Sequence, residues 1–307
     1  MMDDSMRTAH LMQQVLLACL LTACLVPAAA SGTTEARAPS PAIDFTPSYD
    51  SLVERLQRDG FDPSYLNAVF TDHRTRFLPD VLYINLTSKY RDADYSHFTS
   101  RPSVRQARRF LREESAYLDR LEKQFQVHKE VIVSILYIES AFGKNAGSNV
   151  VFNVFSTLAV AAAPEILSAA ADRIAGSYPR MSREEIEQRS QQKAAWAYQE
   201  LKSLLAIARA QSIDPLSFRG SWAGAFGMSQ FLPSSYAQFA RDGNDDGTIS
   251  LYDRYDAMTS VANYLRSHGW TLDAAEARQK AIIRKYNNSG SYSEAVLQLA
   301  RLMEENG

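Results

Sequence analysis

Residues 129–143 read KEVIVSILYIESAFG. The run of apolar residues, opened by Lys129-Glu130 and stopped by Gly143, predicts a short, strongly apolar helix over Lys129–Ala141. Glu139 is the residue that stands out in it. Leu136 and Ile135 lie three and four positions before it, and Ile132 and Val131 one turn earlier, so helix geometry puts all five on one face. An ionised carboxylate on an apolar stripe is costly, so its pKa should rise. Glu139 also falls in the last turn, where the negative end of the helix dipole disfavours the anion further. A carboxylic acid kept protonated near neutral pH can protonate a glycosidic oxygen. Read alone, the helix equally admits a Glu that snorkels, or pairs with Lys144, at the rim of a core.

Outward from this helix the pattern stays helical. Tyr49–Asp59 carries Leu52, Val53 and Leu56 on one face and ends at Gly60, and Asp62-Pro63 opens a second helix with a cap and a first-turn proline. Pro102–Phe125 reads as one long amphipathic helix, with Phe110, Leu111, Tyr117, Leu118, Leu121 and Phe125 on its apolar side. Ser182 with Glu185 forms a capping box that starts a helix running to about Gln211. Asp256–His268 and Ser293–Glu305 are two more. No alternating strand pattern is found, and the expected fold class is mainly α.

The 307 residues carry a formal net charge of −2, against the basic footprint of a nucleic-acid binder, so no nucleic-acid partner is expected. The 15 Tyr and 14 Phe suit a core first and a sugar groove second. Both cysteines, Cys19 and Cys24, lie in an N-terminal apolar run, which excludes a disulfide framework or a thiol site in the folded body. Residues 1–30 have the order of a signal peptide: Arg7 and His10, an apolar stretch from Leu11 to Val26, then Pro27 and Ala28-Ala29-Ala30. Two processing routes fit, cleavage after Ala30 or a lipobox, Leu21-Thr22-Ala23-Cys24, that leaves Cys24 lipidated for membrane attachment. Residues 31–47, with prolines at 39, 41 and 47, read as a linker.

Three further segments carry chemistry. Gly220–Ser234 (GSWAGAFGMSQFLPS) sets three glycines among aromatics, which implies close backbone approach to a ligand or a neighbouring helix, and Gln230 offers the donor and acceptor that sugar hydroxyls and acetamides need. Tyr286-Asn287-Asn288-Ser289-Gly290 in isolation is a turn before a helix. Asp242–Asp253 (DGNDDGTISLYD) matches an EF-hand calcium loop in register. Asp242, Asn244, Asp246, Thr248 and Ser250 fall at loop positions one, three, five, seven and nine, and Asp253 replaces the usual Glu at twelve. Ca2+ is therefore the one cofactor expected, in a structural role, with no organic cofactor.

Glu139-Ser140-Ala141-Phe142-Gly143, the Gly224–Ser234 segment and Tyr286-Asn287-Asn288-Ser289, in that order, resemble the membrane-bound lytic murein transglycosylase B family of lysozyme-like lytic transglycosylases. The similarity extends from about Phe45 to the C-terminus and takes in the calcium loop. Ala161–Gln192 departs from it, being longer and more helical and lacking the family's Pro-Arg-Arg pattern. The resemblance implies a 48–307 catalytic domain, with a lysozyme-like core about 125–150 and 212–307, a helical subdomain about 151–211 and an EF-hand-like loop. It implies cleavage of the β-1,4 bond between N-acetylmuramic acid and N-acetylglucosamine in peptidoglycan without water, Glu139 serving as both acid and base. Ser221, Gln230, Tyr286 and Asn287 would position sugars. The expected location is the bacterial periplasm, free or lipid-anchored to the outer membrane. No second carboxylate stands out as a nucleophile, whereas most glycosidases need a pair. The rivals are a hydrolytic muramidase on the same scaffold and a non-catalytic peptidoglycan-binding protein.

Overall fold

Capping chemistry sets many of the helix boundaries in the computed structural model, which describes residues 47–88 and 94–305. The signal segment, both cysteines and all of the linker but Pro47 lie outside the described residues. Helix α1 is Asp50–Arg58, and α2 is Pro63–Phe70, where Asp62 accepts from the Tyr65 amide at 2.8 Å. Helix α3 (Pro79–Thr87) and a 3-10 turn (Ser96–Thr99) lead to α4 (Arg101–Glu113), α5 (Ser115–Phe125) and α6 (Lys129–Ser140). Then come α7 (Val151–Ala159), α8 (Pro164–Ser177) and α9 (Arg183–Ala210), and at the start of α9 Ser182 accepts from the Glu185 amide at 3.1 Å. Helices α10 (Pro233–Phe239), α11 (Arg254–Ser267), α12 (Glu276–Tyr286) and α13 (Gly290–Glu304) complete the chain. Among the described residues the only strands are β1 (Asn149–Val150) and β2 (Arg219–Gly220), antiparallel with Asn149 opposite Gly220. The fold is mainly α, as expected.

The single helix expected over Pro102–Phe125 is instead two. Glu114 leaves helical geometry (φ −105, ψ 14), is buried, and pairs with Arg254 of α11. The break lets α4 lie against α6 and α13 while α5 turns toward α11. A stripe of apolar residues that continues through Glu114 conceals this from periodicity. Helices α11 and α13 begin two and three residues earlier than their apolar pattern suggests, because Asp253 and Ser289 cap them with side-chain hydrogen bonds.

Helix α6 is the central element: every residue from Glu130 to Ser140 is buried, as expected of a helix enclosed on all sides. Helix α13 lies along it, and α7 with α9 forms the other extensive contact of the fold. The three-glycine segment runs between them. A Cβ on Gly224 (φ +82) would meet the Phe155 ring of α7 at 2.2 Å, so this glycine answers to a neighbouring helix.

Candidate active site

Helix α6 ends in an unusual way. Ala141 (φ 49), Phe142 (φ 60) and Gly143 (φ 86) all adopt left-handed backbone. For a non-glycine residue this costs on the order of 1–2 kcal/mol, so the surroundings must hold it. Ser140 does part of that: its hydroxyl donates to the Met228 carbonyl at 2.7 Å and accepts from the Gly143 amide at 2.9 Å. Phe142 stacks flat on Phe110 of α4, with centroids 4.0 Å apart and planes at 3°. The chain therefore turns away sharply after Glu139.

Glu139 is 4% exposed, and burial pushes its carboxyl up to about 8, opposed only by one hydrogen bond. That bond comes from the Tyr292 hydroxyl, which donates to Oε1 at 2.7 Å. Its carboxyl forms no ion pair with Lys144. Burial, and then the neighbouring Glu139, hold the phenols of both Tyr286 and Tyr292 well above their ordinary range, so both remain hydroxyl donors. At neutral pH the site thus contains a protonated, largely apolar-surrounded carboxylic acid beside neutral phenols. Such a group can deliver a proton and later recover one.

The sequence motifs meet here. Ser140 ties α6 to the glycine segment through Met228, and Gln230 ties the same segment to the turn beyond α6: its Nε2 donates to the Ala146 carbonyl at 3.0 Å and, within the segment, to the Gly227 carbonyl at 2.8 Å. This fixes the Gln230 amide, itself in left-handed backbone (φ 50), and leaves Oε1 buried without a partner. Tyr286, at the end of α12, donates its hydroxyl to the Ser229 carbonyl and so braces the glycine segment from behind. The Ser221 hydroxyl lies 3.3 Å from the Ala225 carbonyl inside its own loop, and Asn287 is buried at the C-terminal end of α12.

Tyr292 is the functional residue that sequence patterns do not mark. Ser289 accepts from the Tyr292 amide at 3.2 Å as the N-cap of α13, so the Asn-Asn-Ser turn aims this tyrosine at Glu139. An aromatic residue in the first turn of a capped helix beyond that turn was the available signal.

The Asp242–Asp253 loop joins α10 to α11, a helix–loop–helix order. Asp242 Oδ2 accepts from the Gly247 amide at 2.8 Å, while its Oδ1 is buried with no partner. Asn244 accepts from the Asp246 amide, and Asp246 from the Thr248 amide. Asp253 spends Oδ1 on the amides of Tyr255 and Asp256 as a helix cap. Asp256, unremarked in the sequence, closes the loop by accepting from Gly243 (2.7 Å) and Ser250 (2.6 Å). Among the described residues no three His, Cys, Asp or Glu side chains gather as a metal cluster. The loop is also wired to the site: the Met228 amide donates to the Leu251 carbonyl at 2.7 Å.

The family described as transglycosylase SLT domain matches residues 44–280. Membrane-bound lytic murein transglycosylase B of Escherichia coli (strain K12) is 36% identical over 157 residues, 50% of this chain and 36% of that protein, so the match spans about a third of that curated relative's length. The crystal structure of soluble lytic transglycosylase SltB1 from Pseudomonas aeruginosa is 27% identical with a TM-score of 0.68, covering 84% of this chain and 98% of that one. Escherichia coli lytic transglycosylase Slt35, solved in complex with calcium, shares the fold at 23% identity and a TM-score of 0.64, covering 84% and 93%.

Proposed function

Because the chain belongs to the transglycosylase SLT domain family, we propose that it is a lytic transglycosylase that cleaves peptidoglycan between N-acetylmuramic acid and N-acetylglucosamine. The observation that carries the reading is Glu139: a carboxyl raised to about 8, held by a single phenol, with no second carboxylate among the influences on it. Protonated Glu139 gives its proton to the glycosidic oxygen, and the C1–O4 bond breaks. The resulting carboxylate then takes the proton of the muramic acid 6-hydroxyl as that oxygen bonds to C1. The proton on Glu139 is restored, no water is consumed, and the product ends in 1,6-anhydro-N-acetylmuramic acid. A hydrolytic muramidase would want a second carboxylate to serve water or the sugar.

Gln230 Oε1, oriented and unpartnered, is suited to accept from a sugar N–H or hydroxyl. Ser221 and Asn287 would supply further sugar contacts, and Tyr286 acts by holding the Ser229 carbonyl in place. Clearing of a suspension of purified sacculi tests the enzymatic reading. Turbidity should fall with added protein, whereas binding to sacculi without clearing would point to a non-catalytic role.

Calcium would sit in the Asp242–Asp253 loop, held by side chains of Asp242, Asn244 and Asp246, with Thr248, Ser250 and Asp253 completing the set. The orphaned Asp242 Oδ1 supports this, as does the calcium complex of Slt35. Its contribution there is structural. Binding to the native state alone stabilises by roughly 2.7 kcal/mol at a hundredfold excess over Kd. Melting temperature should drop with chelator and recover with calcium, and Asp246→Ala should lose that response. An unchanged melt in the wild type would leave the loop a solvated turn.

A peptidoglycan substrate and the signal-like N-terminus together support a periplasmic location. The lipobox reading adds attachment through Cys24, and metabolic palmitate labelling beside Cys24→Ser separates it from cleavage after Ala30.

A further inference from the structure

Leu251 and Tyr252 are consecutive residues at the exit of the Asp242–Asp253 loop, and together they hold both ends of the glycine segment. The Leu251 carbonyl accepts from the Met228 amide at 2.7 Å, and the Met228 carbonyl in turn accepts from Ser140, the residue after Glu139. The approach is close: a Cβ on Gly227 (φ +74) would meet the Leu251 Cβ at 2.4 Å. Tyr252 reaches the other end. Its hydroxyl donates to the Arg219 carbonyl at 2.8 Å and accepts from the Arg219 amide at 2.7 Å, using a phenol's capacity for both roles. Strand β1 pairs with β2 along one edge, and the Tyr252 hydroxyl takes the place of a further strand at Arg219. The Tyr252 ring also leans on Phe226, with centroids 6.4 Å apart.

Core packing does not account for this tyrosine. The residue is 46% exposed, so burial contributes little, and both of its hydrogen bonds go to Arg219. What they fix is the start of the segment. Ser221 stands two residues beyond Arg219, and Gln230 two residues beyond Met228, so each proposed sugar contact follows closely on an anchor made by the same dipeptide. We infer that Tyr252 is a positioning residue for the glycan strand: with Leu251 it sets the spacing at which Ser221 and Gln230 meet the sugars. This rests on the peptidoglycan reading above. A loop held in its binding conformation has less freedom to lose when the strand arrives, which tightens binding without a new contact. Glu139 takes its hydrogen bond from Tyr292, so the loss of Tyr252 should fall on KM rather than on kcat.

The test is Tyr252→Phe in the full-length protein, which keeps the ring and removes both hydrogen bonds, beside Tyr236→Phe as control. The Tyr236 hydroxyl donates to the Ile249 carbonyl of the same loop at 2.7 Å, but bonds nothing in the glycine segment. With calcium present throughout, KM for glycan strands should rise about tenfold in Tyr252→Phe, the scale of a net hydrogen bond or two. Turnover at saturation and the alkaline limb of the pH profile should stay unchanged. Kd for the strands, measured in a Glu139→Gln background where turnover is lost, should rise by the same factor. Hydrogen exchange of the Arg219 amide should quicken. Tyr236→Phe should lower the melting temperature and leave KM and Kd as they are. Unchanged KM and Kd in Tyr252→Phe, a loss confined to kcat, or an equal rise in Tyr236→Phe overturns the inference, the last by making Tyr252 one of several general supports of the loop. Strands that wild type binds without cleaving would count against the enzymatic reading alone, since the Kd comparison needs no turnover.

Discussion

Two glutamates in this protein are buried to the same degree, 4% exposed, and they are put to different ends. Glu200, in the middle of α9, accepts from the Ser234 amide at 2.9 Å and the Ser234 hydroxyl at 2.7 Å, and so caps α10. Burial raises its pKa, and hydrogen bonds from Ser234 and Trp196 oppose that rise. Glu139, at the end of α6, is raised by burial with one phenol in opposition. Equal burial therefore does not make equal acids. The number of donors aimed at the carboxylate decides whether it is satisfied as a helix cap or kept as a proton source. The backbone beyond each residue differs as well. Glu200 continues a regular helix, whereas Glu139 lies just ahead of three left-handed residues that turn the chain away.

The sharpest way to break this comparison is to neutralise each carboxylate in turn. Glu139→Gln should lower turnover of sacculi by ~100- to 10,000-fold, the usual cost of losing a general acid, with circular dichroism unchanged. Retention of more than about a tenth of wild-type turnover, on the same scale, would remove Glu139 from the chemistry.

The same substitution should change stability with pH. The folded pKa of Glu139 lies above the unfolded value, so between pH 4.5 and about 8 the folded protein holds a proton that the unfolded chain has released. Wild-type stability is then fullest below 4.5 and falls as pH rises through that window, with a slope of about 1.4 kcal/mol per pH unit. Glu139→Gln should lose this part of the slope in denaturant titrations. Parallel curves for the two proteins would contradict the raised pKa.

Glu200→Gln should act on the fold instead. An amide places a donor where Ser234 now meets a carboxylate, at a cost of roughly 1–3 kcal/mol. Melting temperature should fall while the turnover of the folded fraction stays within a few-fold of wild type, as for a residue outside the chemistry. A loss comparable to that of Glu139→Gln would make the two carboxylates a functional pair. Smallest in effect, Tyr292→Phe deletes the one hydrogen bond that lowers the Glu139 pKa. The alkaline limb of kcat/KM should move to higher pH, and a downward move would show that Tyr292 does not serve the carboxylate.

Much of this contrast was legible before the structure. The apolar stripe of Ile135, Leu136 and Glu139 announced a desolvated carboxylate, because helical spacing is local information. Asp62 and Ser182 announced their caps for the same reason. Tyr292 was not legible, because its bond to Glu139 joins residues 153 apart in sequence and only tertiary packing brings them together. Glu200 escaped notice because its partner, Ser234, lies in the first turn of α10, 34 residues further along the chain, and only tertiary packing brings the two together. Helix α7 escaped because nearly all of it is buried, leaving no polar face to set a period. The role of Tyr286 was read as sugar contact, whereas its hydroxyl is donated within the protein to Ser229. Side-chain identity showed what it could bond, and packing chose the partner.

One carboxyl serving as both acid and base, with the sugar's own 6-hydroxyl in place of water, is the central claim. Digestion of purified sacculi in oxygen-18 water, with mass spectrometry of the released muropeptides, tests it directly. The account predicts 1,6-anhydro-N-acetylmuramic acid ends carrying no label; reducing muramic acid ends with one oxygen-18 each would contradict it.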